Sequence, residues 1–329
     1  MDRFHAGDVA LRSGPTLPDV QVAYVAHGRL SPARDNVVVF PTCFDGTHEA
    51  NEFLIGPGRA LDPDRWFVVV PNMLANGLST SPSNAPEPFA GARFPLVTHA
   101  DNVDLQRRLL RQLFGVERAR LVVGWSMGGQ QAYHWAGMYP DAVERIAVIC
   151  GAARTAPHTF VFLEGMRAAL CADPAWHDAG SVPERGLRAI ARAWAGWALS
   201  QAWYRRAGWE RAGYDSVEDF LVRYWESMYL RANAPDLVAQ LRTWQACDIG
   251  EATGADYEAA MLSITARAVL MPSRTDLYFP PEDSEAEAAL LHQARLAVIP
   301  SDWGHYAGGG HAPDDVEFID RELRRLLEE

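Results

Sequence analysis

The sequence predicts an α/β fold, with a mostly parallel central sheet, helices on both faces and an inserted block of helices. Three observations carry that expectation. Short, nearly all-apolar β-branched runs recur along the chain, helical patterns separate several of them, and the alternation stops near residue 174 before resuming near residue 247. Runs without polar alternation are what strands covered on both faces look like. Strand then helix, repeated, pairs the strands in parallel.

The first runs are Val20 to Val25, Val37 to Phe40 and Phe67 to Val70. A helix is expected from Thr98 to Phe114, because Thr98 and Asp101 have the spacing of a capping box, each side chain satisfying a backbone N–H at the helix start. Leu121 to Val123 and Ile146 to Ile149 continue the sheet. From Pro174 to Ala246 only helical stripes appear: Leu187, Ile190, Trp194 and Trp197, then Val217, Phe220, Leu221, Tyr224, Trp225 and Met228. The second stripe keeps the i, i+3, i+4, i+7 spacing of one helix face. Seven of the eleven Trp fall in this window. It reads as a lid over the sheet edge, most of its large rings packing small helices together. Val269 to Met271 and Leu296 to Ile299 complete the sheet. The expected division is a first core segment 1–173, a helical lid 174–246 and a second core segment 247–329.

Composition narrows the chemistry. The 329 residues are 48% apolar or aromatic and 22% charged, which suits a globular chain with a sizeable core and argues against disorder. Thirty basic against 42 acidic side chains leave a net charge of -12, which repels nucleic acid and anionic membrane surfaces. A small-molecule substrate is the expected partner. All the basic residues are Arg, so mechanisms that need a lysine amine, including Schiff bases, are excluded. The start, Met1 to Asp8, is polar and has no apolar run of signal-peptide length. Cys43, Cys150, Cys171 and Cys247 form no paired spacing, and no His-rich metal motif is present. A cytoplasmic setting with no metal and no bound cofactor is expected.

Leu121 to Val123 runs into Gly124-Trp125-Ser126-Met127-Gly128, followed by a helix-compatible stretch to Tyr139. A serine at a sharp strand-to-helix turn projects its hydroxyl above the sheet, and glycines two residues before and after give the backbone room. Ser126 is the expected nucleophile. Its base and the acid that orients the base should follow in the order acid, then His, at later strand ends. Asp276, after Val269 to Met271, and His305, after Leu296 to Ile299, fit that order. Asp302 and His311 are the rivals. The N–H of Met127 and an N–H of the loop after Phe40, Cys43 first and Phe44 next, are the expected oxyanion donors. The Cys43 thiol is read as a small buried apolar group. Phe44 and Trp125 are expected to touch substrate.

Further segments carry a resemblance. Leu54-Ile55-Gly56-Pro57-Gly58 with Ala60-Leu61-Asp62-Pro63-Asp64-Arg65, then Phe94-Pro95, Val97-Thr98 and Asp101, Ser126-Met127-Gly128-Gly129, Tyr139-Pro140-Asp141, and Asp173-Pro174 with Trp176 resemble, in order, the homoserine O-acetyltransferase family of the α/β-hydrolase fold. The resemblance implies a Ser-Asp-His acyl-enzyme mechanism, a helical lid and a homodimer. It also places Tyr306 where the family carries an Asp for the homoserine amino group, and Arg192, with Arg188 as rival, nearest the lid Arg for the substrate carboxylate. A phenol cannot replace that carboxylate's charge pairing, and the loop Asn76 to Pro82 lacks the family's glycine-rich form. The expectation is a serine hydrolase acting on an ester or lactone through acyl-Ser126. The alternative is an acyl-CoA-dependent O-acetyltransferase, with acetyl-CoA as co-substrate and an alcohol other than homoserine; a non-catalytic binding protein is the remote one.

Overall fold

The computed structural model describes residues 1–178 and 180–329. Its sheet contains β1 (Asp2–Ala10), β2 (Thr16–His27), β3 (Val37–Val39), β4 (Phe67–Pro71), β5 (Leu121–Trp125), β6 (Arg145–Ile149), β7 (Arg267–Met271) and β8 (Ala294–Leu296). They lie in the order β1-β2-β4-β3-β5-β6-β7-β8. β1–β2 and β2–β4 are antiparallel, and every later pair is parallel.

The unbroken apolar runs are explained by a core on each side of the sheet. Val37, Val39, Val122, Ile146, Val148 and Leu270 face one core, with α1 (His99–Phe114) and α2 (Met127–Met138) supplying Val103, Tyr133 and Trp135. Their neighbours Val38, Val68, Val123, Ala147 and Val269 face the other, against Ile319 and Leu323 of the helix Pro313–Glu328. The capping box forms as expected, the Thr98 side chain accepting from Asp101 N–H. Among the described residues, no helix is long and apolar enough to cross a membrane.

Between β6 and β7 the chain is helical, including α3 (Pro157–Cys171), α4 (Glu184–Ala198) and the helix Ala234–Gln245. Their apolar faces form a third core, in which Leu163, Leu187, Ile190 and Trp244 pack with Met127, Tyr278 and Phe279. The inserted helices therefore rest on the carboxyl ends of β5 and β7.

Two strands differ from expectation. β1 reads as polar in the sequence because it is an edge strand that buries one face only, through Phe4, Ala6 and Val9. β8 lies upstream of the expected Leu296 to Ile299 run; Ile299 instead makes a single bridge to Ser273. That bridge ties the two loops that follow β7 and β8.

Register aligns the strand ends. Trp125 pairs with Ile149, and Ile149 with Met271, so Ser126, Cys150 and the loop after Met271 emerge side by side. The turn at Ser126 depends on backbone contact, since a Cβ on Gly124 would lie 2.0 Å from the Gly128 carbonyl carbon. Gly124→Ala should cost about 2–4 kcal/mol in urea unfolding. Gly165→Ala, where a Cβ meets nothing within 4 Å on α3, should instead add about 0.5–1 kcal/mol. Equal unfolding midpoints for the two variants would contradict this account of the turn.

Candidate active site

Ser126 joins β5 to α2 with φ 57° and ψ -126°. An L residue holds such a backbone only where its surroundings enforce it. Here the Ser126 N–H donates to the Ile149 carbonyl at 2.9 Å, and Gly128 lies so close to the loop after β3 that a Cβ there would meet the Pro41 oxygen at 2.6 Å. The side chain borders a cavity under the inserted helices.

Asp276 and His305 are brought together from the ends of β7 and β8. His305 Nδ1 donates to Asp276 Oδ2 at 2.7 Å, and both side chains are sealed from bulk water. The other carboxylate oxygen accepts from the N–H groups of Tyr278 at 2.8 Å and Phe279 at 3.2 Å. This leaves Nε2 of the neutral imidazole free to accept a proton. Trp125 stacks on the ring at 5.2 Å and donates its indole N–H to the His305 carbonyl, and Tyr278 meets the ring edge-on at 4.9 Å. The rival acid, Asp302, is held by Arg274 and Arg206 instead. His311 lies across the cavity, stacked on Tyr306 at 4.3 Å, with burial pushing its pKa down to about 4.

The expected serine triad is corrected by this geometry. The close group of chemically capable side chains is Cys150, Asp276 and His305, whose ligand atoms all lie within 4.8 Å of one another. Among the described residues, no hydrogen bond joins the Ser126 hydroxyl to His305. The physical reason is sheet topology: Cys150 directly follows β6, its N–H donates to the Met271 carbonyl at 3.0 Å, and that register sets it beside the loop that carries Asp276. Spacing along the chain could not reveal that neighbour. A serine hydrolase acting through acyl-Ser126 is accordingly not assigned. The Cys150 thiol is fully buried and directed at the Met271 carbonyl, and burial followed by the Asp276 charge raises its pKa well above the usual thiol range. With Asp276 engaged by His305 and two backbone N–H groups, the cluster is a hydrogen-bonded one rather than an open ligand set.

The cavity has a volume of about 180 Å³ and is walled by aromatic rings, among them Trp125, Trp194, Tyr224, Tyr229, Trp244 and Tyr306. Phe44 also lines it, stacked on Trp194 at 4.8 Å. Cys43 borders it, and burial pushes its thiol up to about 12. Among the described residues, neither the Met127 N–H nor the Cys43 N–H is hydrogen-bonded to the protein. Trp194 and Trp244 are lid residues that sequence reading had merged with the packing tryptophans; Asp45 was not singled out at all. The signal for Asp45 was its place directly after Cys43-Phe44. His134, on α2, is buried and bonded to the Gln130 carbonyl, and burial holds it neutral with a pKa near about 4.

Residues 36–312 match the family described as the alpha/beta hydrolase fold. The chain belongs to the α/β-hydrolase fold family. A probable esterase of Corynebacterium glutamicum is 34% identical over 328 residues, covering 98% of this chain and 94% of that protein. An ethyl acetate hydrolase of Pseudomonas veronii is 33% identical over 326 residues, covering 98% and 93%. The structure of an acetylester hydrolase from Corynebacterium glutamicum matches with a TM-score of 0.96 at 33% identity, over 100% of this chain and 96% of that one. Homoserine O-acetyltransferases match as well, that of Trichormus variabilis at 31% identity over 316 residues, 90% of this chain and 86% of that protein. The resemblance is therefore broader than the acetyltransferases: within the α/β-hydrolase fold it extends to esterases.

The site also departs from expectation at the lid. Arg192 was expected to meet a substrate carboxylate, but it does not line this α/β-hydrolase cavity. Its guanidinium pairs with Glu226 at 2.5 Å and with Glu218, and Arg188 pairs with the same Glu226. Glu226 is nearly sealed, so both cations are consumed in holding α4 to the π-helical turn Leu221–Glu226. Tyr306 does line the cavity and presents a neutral phenol there.

Burial also orders the four thiols. Iodoacetamide at pH 8 should label the partly exposed Cys171 first and leave Cys43, Cys150 and Cys247 unlabelled until urea is added. Intact-protein mass reads the count, and rapid native labelling of Cys150 would contradict the sealed cluster.

Proposed function

We propose that the chain is an ester hydrolase for small acyl esters, with Asp276 and His305 as the base that drives the reaction and the aromatic cavity as the substrate site. The observation that carries the reading is the 2.7 Å bond between His305 and Asp276 beside a cavity that Cys43, Ser126 and His305 line. The names of the relatives support it, an ethyl acetate hydrolase and an acetylester hydrolase among them.

The site residues we assign are Asp276 and His305, with Ser126 at the cavity edge beside them, Met127 and Cys43 as N–H donors and Phe44, Trp125 and Tyr306 as substrate walls. The imidazole accepts the proton of the attacking group as the ester carbonyl becomes tetrahedral, and returns it to the departing alkoxide. Asp276 fixes the tautomer and compensates the imidazolium that forms between those steps. The negative oxygen of the tetrahedral species is met by the N–H groups of Met127 and Cys43. Water then completes the net reaction, ester plus water giving acid plus alcohol. Homoserine is disfavoured as an acceptor, because Arg192 is tied up and Tyr306 offers its amino group no charge.

Hydrolysis of ethyl acetate, followed by acid release, tests the reading. His305→Ala and Asp276→Asn should each lower kcat/KM by about 10³–10⁴-fold, whereas Asp302→Asn should stay within about tenfold. Peptide mapping of a small organophosphate adduct then reads which side chain carries the acyl group. Full activity in His305→Ala, or an adduct on none of the side chains that line the cavity, would overturn the assignment.

A further inference from the structure

We propose that the cavity selects esters whose alcohol portion carries a positive charge, an alkylammonium group above all, with Asp45 as counter-charge and the surrounding rings as its cage. This rests on the ester-hydrolase reading and adds the substrate class.

Among the described residues, Asp45 is the one carboxylate that lines the cavity. Among the described residues its side chain makes no ion pair and no hydrogen bond; only its N–H is engaged, donating to Gln240 Oε1 at 2.9 Å. Gln240 is itself anchored through its amide to the Ala75 carbonyl at 2.9 Å. Asp45 has φ 54°, the left-handed region, so the clamp holds an unfavourable backbone and fixes where the carboxylate stands. Three other acids, Asp302, Glu226 and Asp236, are each occupied. Asp302 binds two arginines, Glu226 binds two, and Asp236 accepts from the N–H and hydroxyl of Ser83.

A carboxylate open to a cavity and lacking a cation partner is available to a positively charged ligand. The Asp45 side chain is solvent-exposed there, with the Asp236 charge nearby. The other titratable groups facing it do not neutralise it: Cys43 is held protonated, Tyr229 is raised well above its usual range, and His311 is pushed down to about 4. His305 is committed to Asp276. Phe44, Trp194, Trp244, Tyr224 and Tyr229 line the same cavity, and aromatic walls attract an alkylammonium group. The net charge of -12 draws cations toward the molecule.

A matched pair tests this: acetylcholine and 3,3-dimethylbutyl acetate, alike in shape but for the charge. At pH 8 the wild-type chain should prefer acetylcholine in kcat/KM by about tenfold or more, chiefly through KM. The ratio should fall to near unity in Asp45→Asn and be retained in Asp45→Glu. Choline binding, followed by tryptophan fluorescence, should weaken in parallel. Hydrolysis of the neutral ester with a ratio near one in wild type, or a ratio unaltered in Asp45→Asn, would overturn the proposal and leave the hydrolase reading standing. Asp45-dependent choline binding without hydrolysis of either ester would do the reverse.

Discussion

The hydrogen bond between His305 Nδ1 and Asp276 Oδ2 is the interaction on which the rest of the site depends. It joins loops from two adjacent parallel strands, and neither loop has another reason to present a sealed carboxylate to a sealed imidazole. A buried carboxylate is expensive unless its lone pairs are met. Tyr278 and Phe279 N–H groups meet one oxygen and His305 the other. The same geometry decides which imidazole nitrogen is left to do chemistry.

The sheet prepares this encounter before any side chain takes part. Parallel pairing from β3 to β8 puts the strand carboxyl ends on one edge, where the ligands of open α/β sheets gather. The bridge between Ser273 and Ile299 fastens the two loops just before Asp276 and His305. Above them the lid separates its charges from its rings. Arg188, Arg192, Glu218 and Glu226 knit its outer helices, while Phe44, Trp194 and Trp244 crowd inward. The cavity is left aromatic, with Asp45 as its single carboxylate among the described residues.

Much of this architecture was legible in the residue pattern because it rests on periodicity and turn chemistry. The β3, β4, β5, β6 and β7 strands announce themselves as apolar runs, the Thr98 cap as a four-residue spacing, and the Ser126 elbow as two glycines with no room for a Cβ. Asp276 and His305 follow from their positions after strands. β1 was hidden by its polar outer face. Cys150 was hidden because its neighbours are set by register between strands far apart in sequence, and the fate of Arg192 because a guanidinium's partners depend on packing between helices. Asp45 carries no motif; its isolation becomes visible only when the cavity wall is assembled.

The central claim can be read directly from the imidazole proton. In protein labelled with ¹⁵N-histidine, a His305 Nδ1–H resonance should appear well downfield of the amide region, persist in Cys150→Ser, and vanish in Asp276→Ala. A spectrum without that resonance, or one in which it survives removal of the Asp276 carboxylate, would show that the two side chains do not form the pair on which the account is built.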